Sequence, residues 1–417
     1  GVYSNAVTLV CTLKACSSMG HIETGKRVHD EITKKGFFEN DLPIGNALVD
    51  MYMKCGSFAE ACHVFGMLPI PNVVSWNALI SGYANYGRGD EALKCFRKMQ
   101  DEGLSPNVIT FVCGLKACSS TGDVDKGREL NVEIYKRGLL ENDLILGNAL
   151  VDMYATIGLL ADAQHVFDML QLRDQITWNA RISGYAEHGD GNKALICFET
   201  MQNDGISPNA ATFILCLRAC GNIVAPEKGE NIHREIIQRG LLEQDISLGN
   251  AIIDMYMKCG SIAMAQEVFK EFPSRDVISW TMLIARYVEH GFGKEALHCF
   301  AQFKYEGLSP DPIMFACILK ACGSTRHKQR PRHTHNEIDR IGLLKSNHFI
   351  GGALVDMYVK CGFIQKAREV FDTLPIRTLF ALTALISGYA QCEDGEEALK
   401  CFDHMIVEGT KLHINLI

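Results

Sequence analysis

The sequence predicts an all-α protein, an α-solenoid of stacked helix–turn–helix repeats. The first observation behind this prediction is a recurring nine-residue stretch, WNALISGYA at residues 76–84, which returns in related form from residues 178, 280 and 382. Successive copies start 102 residues apart, and a fixed period sustained along a chain is typical of a stacked repeat array. The second observation is the spacing of Ala92, Cys95, Phe96 and Met99, which puts four apolar side chains on one face of a helix.

Each 102-residue unit divides into three predicted helix–turn–helix repeats of 36, 31 and 35 residues. Their ends carry turn chemistry, as at residues 103–107, where glycine closes a helix, proline cannot continue it and asparagine begins the next one. Residues 1–5 are expected to be the tail of a preceding repeat and 414–417 the start of a further one, in a chain whose natural N-terminus is missing. We therefore predict one array of four units, at residues 6–107, 108–209, 210–311 and 312–413.

Composition limits the classes of partner. The net charge of −8 disfavours a partner held mainly through its phosphates, but it leaves room for a narrow basic stripe. No apolar run approaches the roughly 18 to 20 residues of a membrane span, so no membrane partner is expected. Most of the 17 cysteines recur at equivalent places and no CxxC pair occurs. This pattern favours buried free thiols in a reducing compartment over a zinc or redox site.

Several segments resemble pentatricopeptide repeats, namely VVSWNALISGYA (73–84) and EALKCFRKMQDEGLSPN (91–107). The alternation of 36, 31 and 35 residues is similar to the L, S and P repeats of the plant-type PLS subclass, with GNALVDMYMKCG (45–56) similar to S and KACSSMGHIETGKRVH (14–29) similar to L. The tetratricopeptide pattern is absent. The resemblance covers residues 1–417, and it implies a right-handed superhelical solenoid that binds single-stranded RNA with one base per repeat.

The resemblance also implies which residues read the bases: the fifth residue of each first helix and the last residue of the repeat. It assigns Asn–Asp pairs to uracil, Asn–Asn pairs to pyrimidines and Thr–Asp to guanine, while the apolar fifth residues of the L repeats act as spacers. The implied preference, 5′ to 3′ from the N-terminus, is n-Y-Y-n-U-Y-n-U-G-n followed by two unassigned bases, where Y is a pyrimidine and n is any base. The pairs Gly352 with Thr378 and Thr383 with His413 depart from the pattern. The reading pairs are Asn46 with Asn72, Asn77 with Asn107, Asn148 with Asp174, Asn179 with Asn209, Asn250 with Asp276, and Thr281 with Asp311.

Structural alternatives stay open for these residues. Each terminal Asn or Asp is also a suitable N-cap for the next helix, and the fifth-place asparagines are suitable for a structural ladder between repeats. Lysines near the end of the S-repeat first helix either face phosphate or are solvated; these are Lys54, Lys258 and Lys360. Apolar residues at the second place either sandwich bases or pack between repeats; these are Val74, Ile109, Ile145, Ile176 and Ile278.

No catalytic motif, metal site or cofactor-binding motif is recognised. The family's deaminase domain needs H-x-E followed by P-C-x-x-C, and H-x-E occurs here only at 29–31, 233–235 and 335–337, without the second motif. We therefore expect a non-catalytic chain with no cofactor and no small-molecule substrate.

The resemblance implies an RNA-binding protein of a mitochondrion or chloroplast that specifies sites of cytidine-to-uridine editing, with editing or deaminase proteins as partners. Stabilisation, processing or translation of an organellar transcript is the first alternative. A peptide-binding scaffold is the second, and the negative charge is the best observation in its favour.

Overall fold

In the computed structural model, the described residues are 5–37, 41–140, 143–242, 245–271, 275–326 and 330–403. His413, residues 414–417 and residues 1–4 of the predicted N-terminal tail lie outside them. No strand occurs within the described ranges, and the prediction of an all-α repeat fold is confirmed. The chain packs as two compact units, one ending at Ile223 and the other beginning at Val224.

The first unit consists of helical hairpins joined by short turns. The first helices of successive hairpins (the odd-numbered helices α1 to α13) contact one another in a continuous row, and those from α1 to α11 also pack on the second helix of their own hairpin. The helices are α1 (Ala6–Met19), α2 (Ile22–Lys34), α3 (Leu42–Lys54), α4 (Phe58–Gly66), α5 (Val73–Asn85), α6 (Gly89–Asp101), α7 (Val108–Thr121), α8 (Val124–Lys136), α9 (Leu144–Ile157), α10 (Leu160–Met169), α11 (Gln175–Glu187), α12 (Gly191–Asn203) and α13 (Ala210–Asn222).

The second unit follows the same plan, with a short extra helix, α21. Residues 395–403 are also helical. Its row of first helices runs through α15, α17, α19, α22 and α24. The helices are α14 (Pro226–Gln238), α15 (Ile246–Lys258), α16 (Ile262–Glu271), α17 (Val277–Glu289), α18 (Gly293–Tyr305), α19 (Pro312–Thr325), α20 (Arg330–Arg340), α21 (Leu343–Ser346), α22 (His348–Lys360), α23 (Ile364–Thr373) and α24 (Leu379–Gln391).

Helix ends follow the turn chemistry of the sequence. Gly103 has φ of +77°, a left-handed conformation that glycine adopts without strain, and it ends the hairpin formed by α5 and α6. Four residues later the Asn107 side chain accepts a hydrogen bond from the backbone N–H of Thr110 and caps α7. The N-cap interpretation of the terminal residues is confirmed, because Asn72, Asn107, Asp174, Asn209, Asp276 and Asp311 all cap the next first helix.

The core between hairpins is built from repeating aromatic contacts. Three equivalent tryptophans are at most 3% exposed, and each meets a phenylalanine of the preceding hairpin edge-on, with ring centroids 4.6–4.7 Å apart. Such edge-to-face pairs add to the stabilisation from buried apolar area. The pairs are Phe65 with Trp76, Phe167 with Trp178, and Phe269 with Trp280.

Glycines at the start of second helices allow close packing. An ideal β-carbon on Gly89 would lie 2.6 Å from the carbonyl oxygen of Ala117, in the first helix of the next hairpin. Equivalent β-carbons on Gly191 and Gly293 would lie 2.9 Å and 3.3 Å from the carbonyl oxygens of Ala219 and Ala321. These three places therefore bring helices closer together than a side chain permits.

Candidate nucleic-acid interface

One face of each row of first helices carries a groove. In the first unit, a segment of about 540 Å³ includes Asn46, Asn72, Val74 and Asn77 in its lining. A second segment of about 560 Å³ is lined by Ile145, Asn148, Asp174, Ile176 and Asn179, among others. The structure thus brings predicted base-reading residues and predicted second-place residues together at one surface.

In the second unit, a groove segment of about 500 Å³ is lined in part by Ile313, Phe349, Lys360 and Phe380. A larger cavity of about 660 Å³ lies beside Trp280 and contains none of the predicted site residues. We place the candidate site in the groove and not in the larger cavity, because the recurring polar and apolar places converge on the groove.

Three of the predicted base-reading pairs are hydrogen-bonded at the floor of the groove. The fifth-place asparagine projects from one first helix, and its partner is the N-cap of the next first helix. Asn77 and Asn148 are buried, with at most 8% of their surface exposed. Asparagine Nδ2 donates to the partner Oδ1 in three pairs: Asn77 to Asn107 at 3.1 Å, Asn148 to Asp174 at 3.1 Å, and Asn179 to Asn209 at 3.5 Å.

A hydroxyl group at the third place of the next helix joins both members of these pairs. Thr110 Oγ1 donates to Asn77 Oδ1 over 2.7 Å, and Thr212 Oγ1 donates to Asn179 Oδ1 over the same distance. Ser75 Oγ donates to Asn46 Oδ1 over 2.6 Å, and Thr177 makes the corresponding bond to Asn148. The sequence analysis missed these hydroxyl groups. Their recurrence two residues before the fifth place was visible in the sequence.

The second unit departs from this arrangement. Ser279 Oγ donates to Asp276 Oδ1 over 2.7 Å, and Asn250 Oδ1 is buried without a hydrogen-bond partner in the described residues. Thr281 Oγ1 is also buried without a partner within the described ranges, because the third place of the next helix is Met314. An unpaired buried polar atom is costly, so Asn250 Oδ1 is suited to accept a hydrogen bond from a bound molecule, and Thr281 Oγ1 is suited to accept or donate one.

The apolar residues at the second place are exposed. Val74, Ile109, Ile145, Ile176 and Ile278 are between 58% and 68% exposed. Inter-repeat packing does not explain this, because a packed side chain would be covered. Phe349 and Phe380 occupy the second place in the fourth 102-residue unit, and their rings are nearly parallel, with centroids 6.5 Å apart.

The predicted phosphate-facing lysines are not isolated cations. Each Nζ lies beside an aspartate one helical turn earlier, so its charge is compensated. Where the lysine is exposed, as at Lys54 and Lys360, such a pair contributes only about 0–1 kcal/mol, and a phosphate can compete for the lysine. The pairs are Lys54 with Asp50 at 2.8 Å, Lys258 with Asp254 at 2.9 Å, and Lys360 with Asp356 at 2.7 Å.

Cations at the ninth place of the L-repeat first helices were also missed by the sequence analysis. Their spacing of 102 residues was a signal that could have found them. All are exposed, and two of them line groove segments. They are Lys14, Lys116, Arg218 and Lys320.

Carboxylates set the local charge of the groove. Burial alone would raise the pKa of Asp174, but hydrogen bonds from Thr177, Asn148 and the backbone of Ile176 bring that pKa below its ordinary value. Asp174 is therefore ionised at neutral pH. Burial raises the pKa of Asp152, and Glu187 adds to the effect while Lys116 opposes it.

The last two predicted pairs differ from the others. Gly352 has no side chain to read a base, and a β-carbon there would lie 2.8 Å from the Phe380 ring, which occupies that space. Thr383 Oγ1 donates to the carbonyl oxygen of Leu379 in its own helix over 2.8 Å. Neither place presents the amide found in the first unit.

The histidines of the H-x-E segments pack between hairpins. His29 Nδ1 lies 2.9 Å from the hydroxyl oxygen of Tyr52, and His233 Nδ1 lies 3.1 Å from that of Tyr256. At the equivalent place in the second 102-residue unit, Asn131 Nδ2 donates to the Tyr154 hydroxyl over 3.0 Å. The residues at this place therefore have one role in common, which is to hydrogen-bond a tyrosine hydroxyl group with a neutral side chain.

When His29 and His233 are both replaced by asparagine, the free energy of unfolding is expected to fall less between pH 7.5 and pH 5.0 than it does in the wild type. Burial lowers the pKa of both histidines below the unfolded value of 6.5, although nearby carboxylates oppose the effect. The neutral form thus stabilises the fold above pH 6.5, and this stabilisation is lost as the pH falls through the lowered pKa. Urea unfolding at pH 7.5 and 5.0 measures the change. An equal decline in wild type and variant would contradict the assignment.

No cluster of three or more His, Cys, Asp or Glu side chains suited to a metal ion occurs in the residues that the structure describes. Within the same ranges, no helix is both long enough and apolar enough to cross a bilayer.

Comparison with known proteins identifies the repeats. Models of the PPR repeat family match residues 71–120 and 173–222, a PPR repeat model matches 250–277, 352–375 and 380–410, and a pentatricopeptide repeat domain model matches 274–325. A chloroplastic pentatricopeptide repeat-containing protein of Arabidopsis thaliana is 34% identical over 407 residues, which are 98% of this chain and 65% of that protein. A mitochondrial one from the same plant is 33% identical over 98% of this chain and 39% of that protein.

The chain thus spans between about two fifths and two thirds of the length of these two relatives. Another pentatricopeptide repeat-containing protein of Arabidopsis thaliana is 34% identical over 90% of this chain and 67% of its own length. Among solved structures, the pentatricopeptide repeat protein PPR10 of maize in complex with an 18-nt psaJ RNA element is 18% identical, with a TM-score of 0.56 over 98% of this chain and 70% of that one. That similarity shows the fold. Together with the repeat models and the plant relatives, it establishes that the chain belongs to the pentatricopeptide repeat family.

Proposed function

We propose that the chain binds single-stranded RNA in a sequence-specific way, reading one base with each S and P repeat. The observation that carries this proposal is the recurring pair of polar side chains at the groove floor, flanked by exposed apolar residues at the second place. Family membership supports it, since PPR repeats read RNA bases one by one through a few side chains per repeat. The maize relative PPR10 was solved with an RNA element bound.

The two members of a pair offer different hydrogen-bonding groups to a base. The Asn148 amide can donate through Nδ2, and the ionised Asp174 carboxylate can only accept. Uracil carries an N3–H donor between two carbonyl acceptors, so this pair matches its edge. In the Asn77 and Asn107 pair the terminal residue can also donate through Nδ2, which suits the N3 acceptor of cytosine. We therefore assign to the first compact unit the RNA sequence n-Y-Y-n-U-Y.

The flanking side chains hold the base by its faces. Val74 and Ile109 stand on either side of the Asn77 and Asn107 pair along the chain, and both expose more than half of their surface. A nucleobase inserted between such residues would cover apolar area on both, at roughly 25 cal/mol per Å² buried. The base edge would then face the amide at the groove floor.

Groove cations are suited to the phosphates. Lys14 lines a groove segment together with Asp50, and Lys54 shares its charge with that aspartate. Because the whole chain is acidic, we expect a modest electrostatic contribution and therefore weak non-specific binding. The specific contacts would then dominate discrimination between RNAs.

We also propose a cellular role in an organelle, because relatives are named chloroplastic or mitochondrial. The PLS-like alternation of repeats supports specifying sites in organellar transcripts for cytidine-to-uridine editing, with a deaminase acting in the same protein or as a partner. Stabilisation, processing or translation of such a transcript is the alternative that uses the same groove. In both cases the chain acts by binding and carries out no chemistry itself.

Binding to three short oligonucleotides at physiological salt tests the function. One RNA carries the predicted Y-Y-n-U-Y core, one has those positions changed to purines, and the third is DNA of the matched sequence. We expect the matched RNA to bind at least about tenfold more tightly than the purine RNA, since each well-read base contributes about 1–3 kcal/mol. Asn148→Thr should weaken the preference at a single nucleotide.

Equal, weak and strongly salt-dependent binding to all three oligonucleotides would mean that charge alone is responsible. The base-reading proposal would then fail, and a peptide-binding scaffold would become the leading function for this groove.

A further inference from the structure

We propose that the third-place hydroxyl groups of Ser75, Thr110, Thr177 and Thr212 determine base specificity by fixing which way the paired asparagine amide points. The inference rests on the proposed RNA-reading function and assigns a role to residues that do not themselves reach the base. They are positioning residues, because they act through the fifth-place asparagine.

The bonds around Thr110 form a closed ring of three members. Thr110 Oγ1 donates to Asn77 Oδ1 at 2.7 Å, Asn77 Nδ2 donates to Asn107 Oδ1 at 3.1 Å, and the Asn107 backbone N–H donates back to Thr110 Oγ1 at 3.1 Å. Thr110 itself is fully buried. Hydrogen bonds connected in this way strengthen one another, so the ring resists rotation of any member.

The ring decides what Asn77 offers to a ligand. An asparagine amide has one acceptor side and one donor side, and rotation by 180° about its terminal bond exchanges them. Here the Thr110 hydroxyl engages the oxygen, and one Nδ2 hydrogen is directed at Asn107. The second Nδ2 hydrogen remains for the groove. Asn77 therefore presents a donor, which matches the acceptor atoms on the pyrimidine edge.

Helix capping alone does not explain the hydroxyl groups. The S-repeat first helices are also capped by Asp or Asn, yet their third place is apolar, as Ile44, Leu146, Leu248 and Ile350. Each of these helices follows an L repeat, whose fifth residue is apolar. Among the first helices that follow a complete repeat of this sequence, each third-place hydroxyl group comes after a repeat with asparagine at the fifth place, which links the hydroxyl group to the reading pair.

Thr110→Val tests the inference, because valine keeps the shape of threonine and removes the hydroxyl group. The readout is the affinity ratio between RNAs with a pyrimidine or a purine at the single nucleotide assigned to Asn77 and Asn107. We expect this ratio to fall about fivefold, the effect of losing one net hydrogen bond. Thr110→Ser should preserve it.

The matched control is Thr8→Val, at the same place of α1. The Thr8 hydroxyl donates to the Asn5 cap at 2.9 Å, and α1 lies two hairpins before α5, the helix that carries Asn77. That variant should leave the ratio unchanged. If Thr110→Val does not fold, as judged by urea unfolding, Thr212→Val provides the same test at the nucleotide assigned to Asn179.

Two results would count against the inference in different ways. Equal weakening of both RNAs, with an unchanged ratio, would make the hydroxyl group purely structural and overturn the positioning role. A wild-type chain with no pyrimidine preference at that nucleotide would overturn the base-reading function and this inference with it.

Discussion

Gly89→Ala is expected to lower the free energy of unfolding by about 2 kcal/mol, although alanine is the better helix former. The added β-carbon would lie 2.6 Å from the Ala117 carbonyl oxygen and would also collide with Ser120 and Thr121. The carbonyl belongs to α7, so relief requires the whole helix to move away from α6. Such movement weakens a contact between neighbouring hairpins, and the stability of a repeat array depends on those contacts.

Gly66→Ala is the matched control for this prediction, because Gly66 is also a helical glycine, in α4, and is exposed. A β-carbon there meets nothing within 4 Å among the described residues. The substitution should be neutral or stabilising, by up to about 1 kcal/mol from helix propensity. Urea unfolding followed by circular dichroism measures both variants. Similar effects at the two glycines would show that helix propensity, and not close packing, governs Gly89.

Asp174→Asn is expected to change the preferred base at one nucleotide from uracil to cytosine. The substitution replaces a carboxylate that only accepts hydrogen bonds by an amide that can also donate one. It also gives the pair the composition found at Asn77 with Asn107. A well-read base edge contributes about 1–3 kcal/mol, so the ratio of uracil to cytosine affinities should fall by roughly 10- to 100-fold. Competition between two RNAs that differ only at this nucleotide measures the ratio.

Asp143→Asn provides the control, because it makes the same change in an N-cap that follows an apolar fifth residue, Val112. Aspartate and asparagine are comparable N-caps, so both variants should fold alike. We expect Asp143→Asn to leave every base preference unchanged. A shift in that variant, or none with Asp174→Asn, would mean that the terminal residues only cap helices.

The sequence predicted the repeat fold because its signals are local and periodic. Apolar spacing identified the helices, and glycine, proline and asparagine identified their ends. The period then placed equivalent residues, such as Asn77 and Asn179, at equivalent places. The pairing of Asn77 with Asn107, and of Asn179 with Asn209, was available only through the family resemblance.

Other features depend on contacts that spacing does not show. From the sequence, Thr110 is an ordinary helix residue. Only the structure shows that its hydroxyl group, on α7, hydrogen-bonds Asn77 on the neighbouring first helix, α5. Lys54 reads as a free cation until Asp50 is seen beside it. Phe380 reads as one more second-place residue, and only coordinates show its ring over Gly352.

The exposed second-place residues have a consequence for how the free protein behaves in solution. Val74, Ile109, Ile145 and Ile176 form a recurring series of uncovered aliphatic side chains, and contiguous apolar surface of this kind promotes self-association. A ligand that fills the groove would cover them and would favour the dispersed folded chain by mass action. The solubility of the protein would then depend on how much of it is bound to its ligand. We expect it to aggregate most readily when it is made in excess of that ligand.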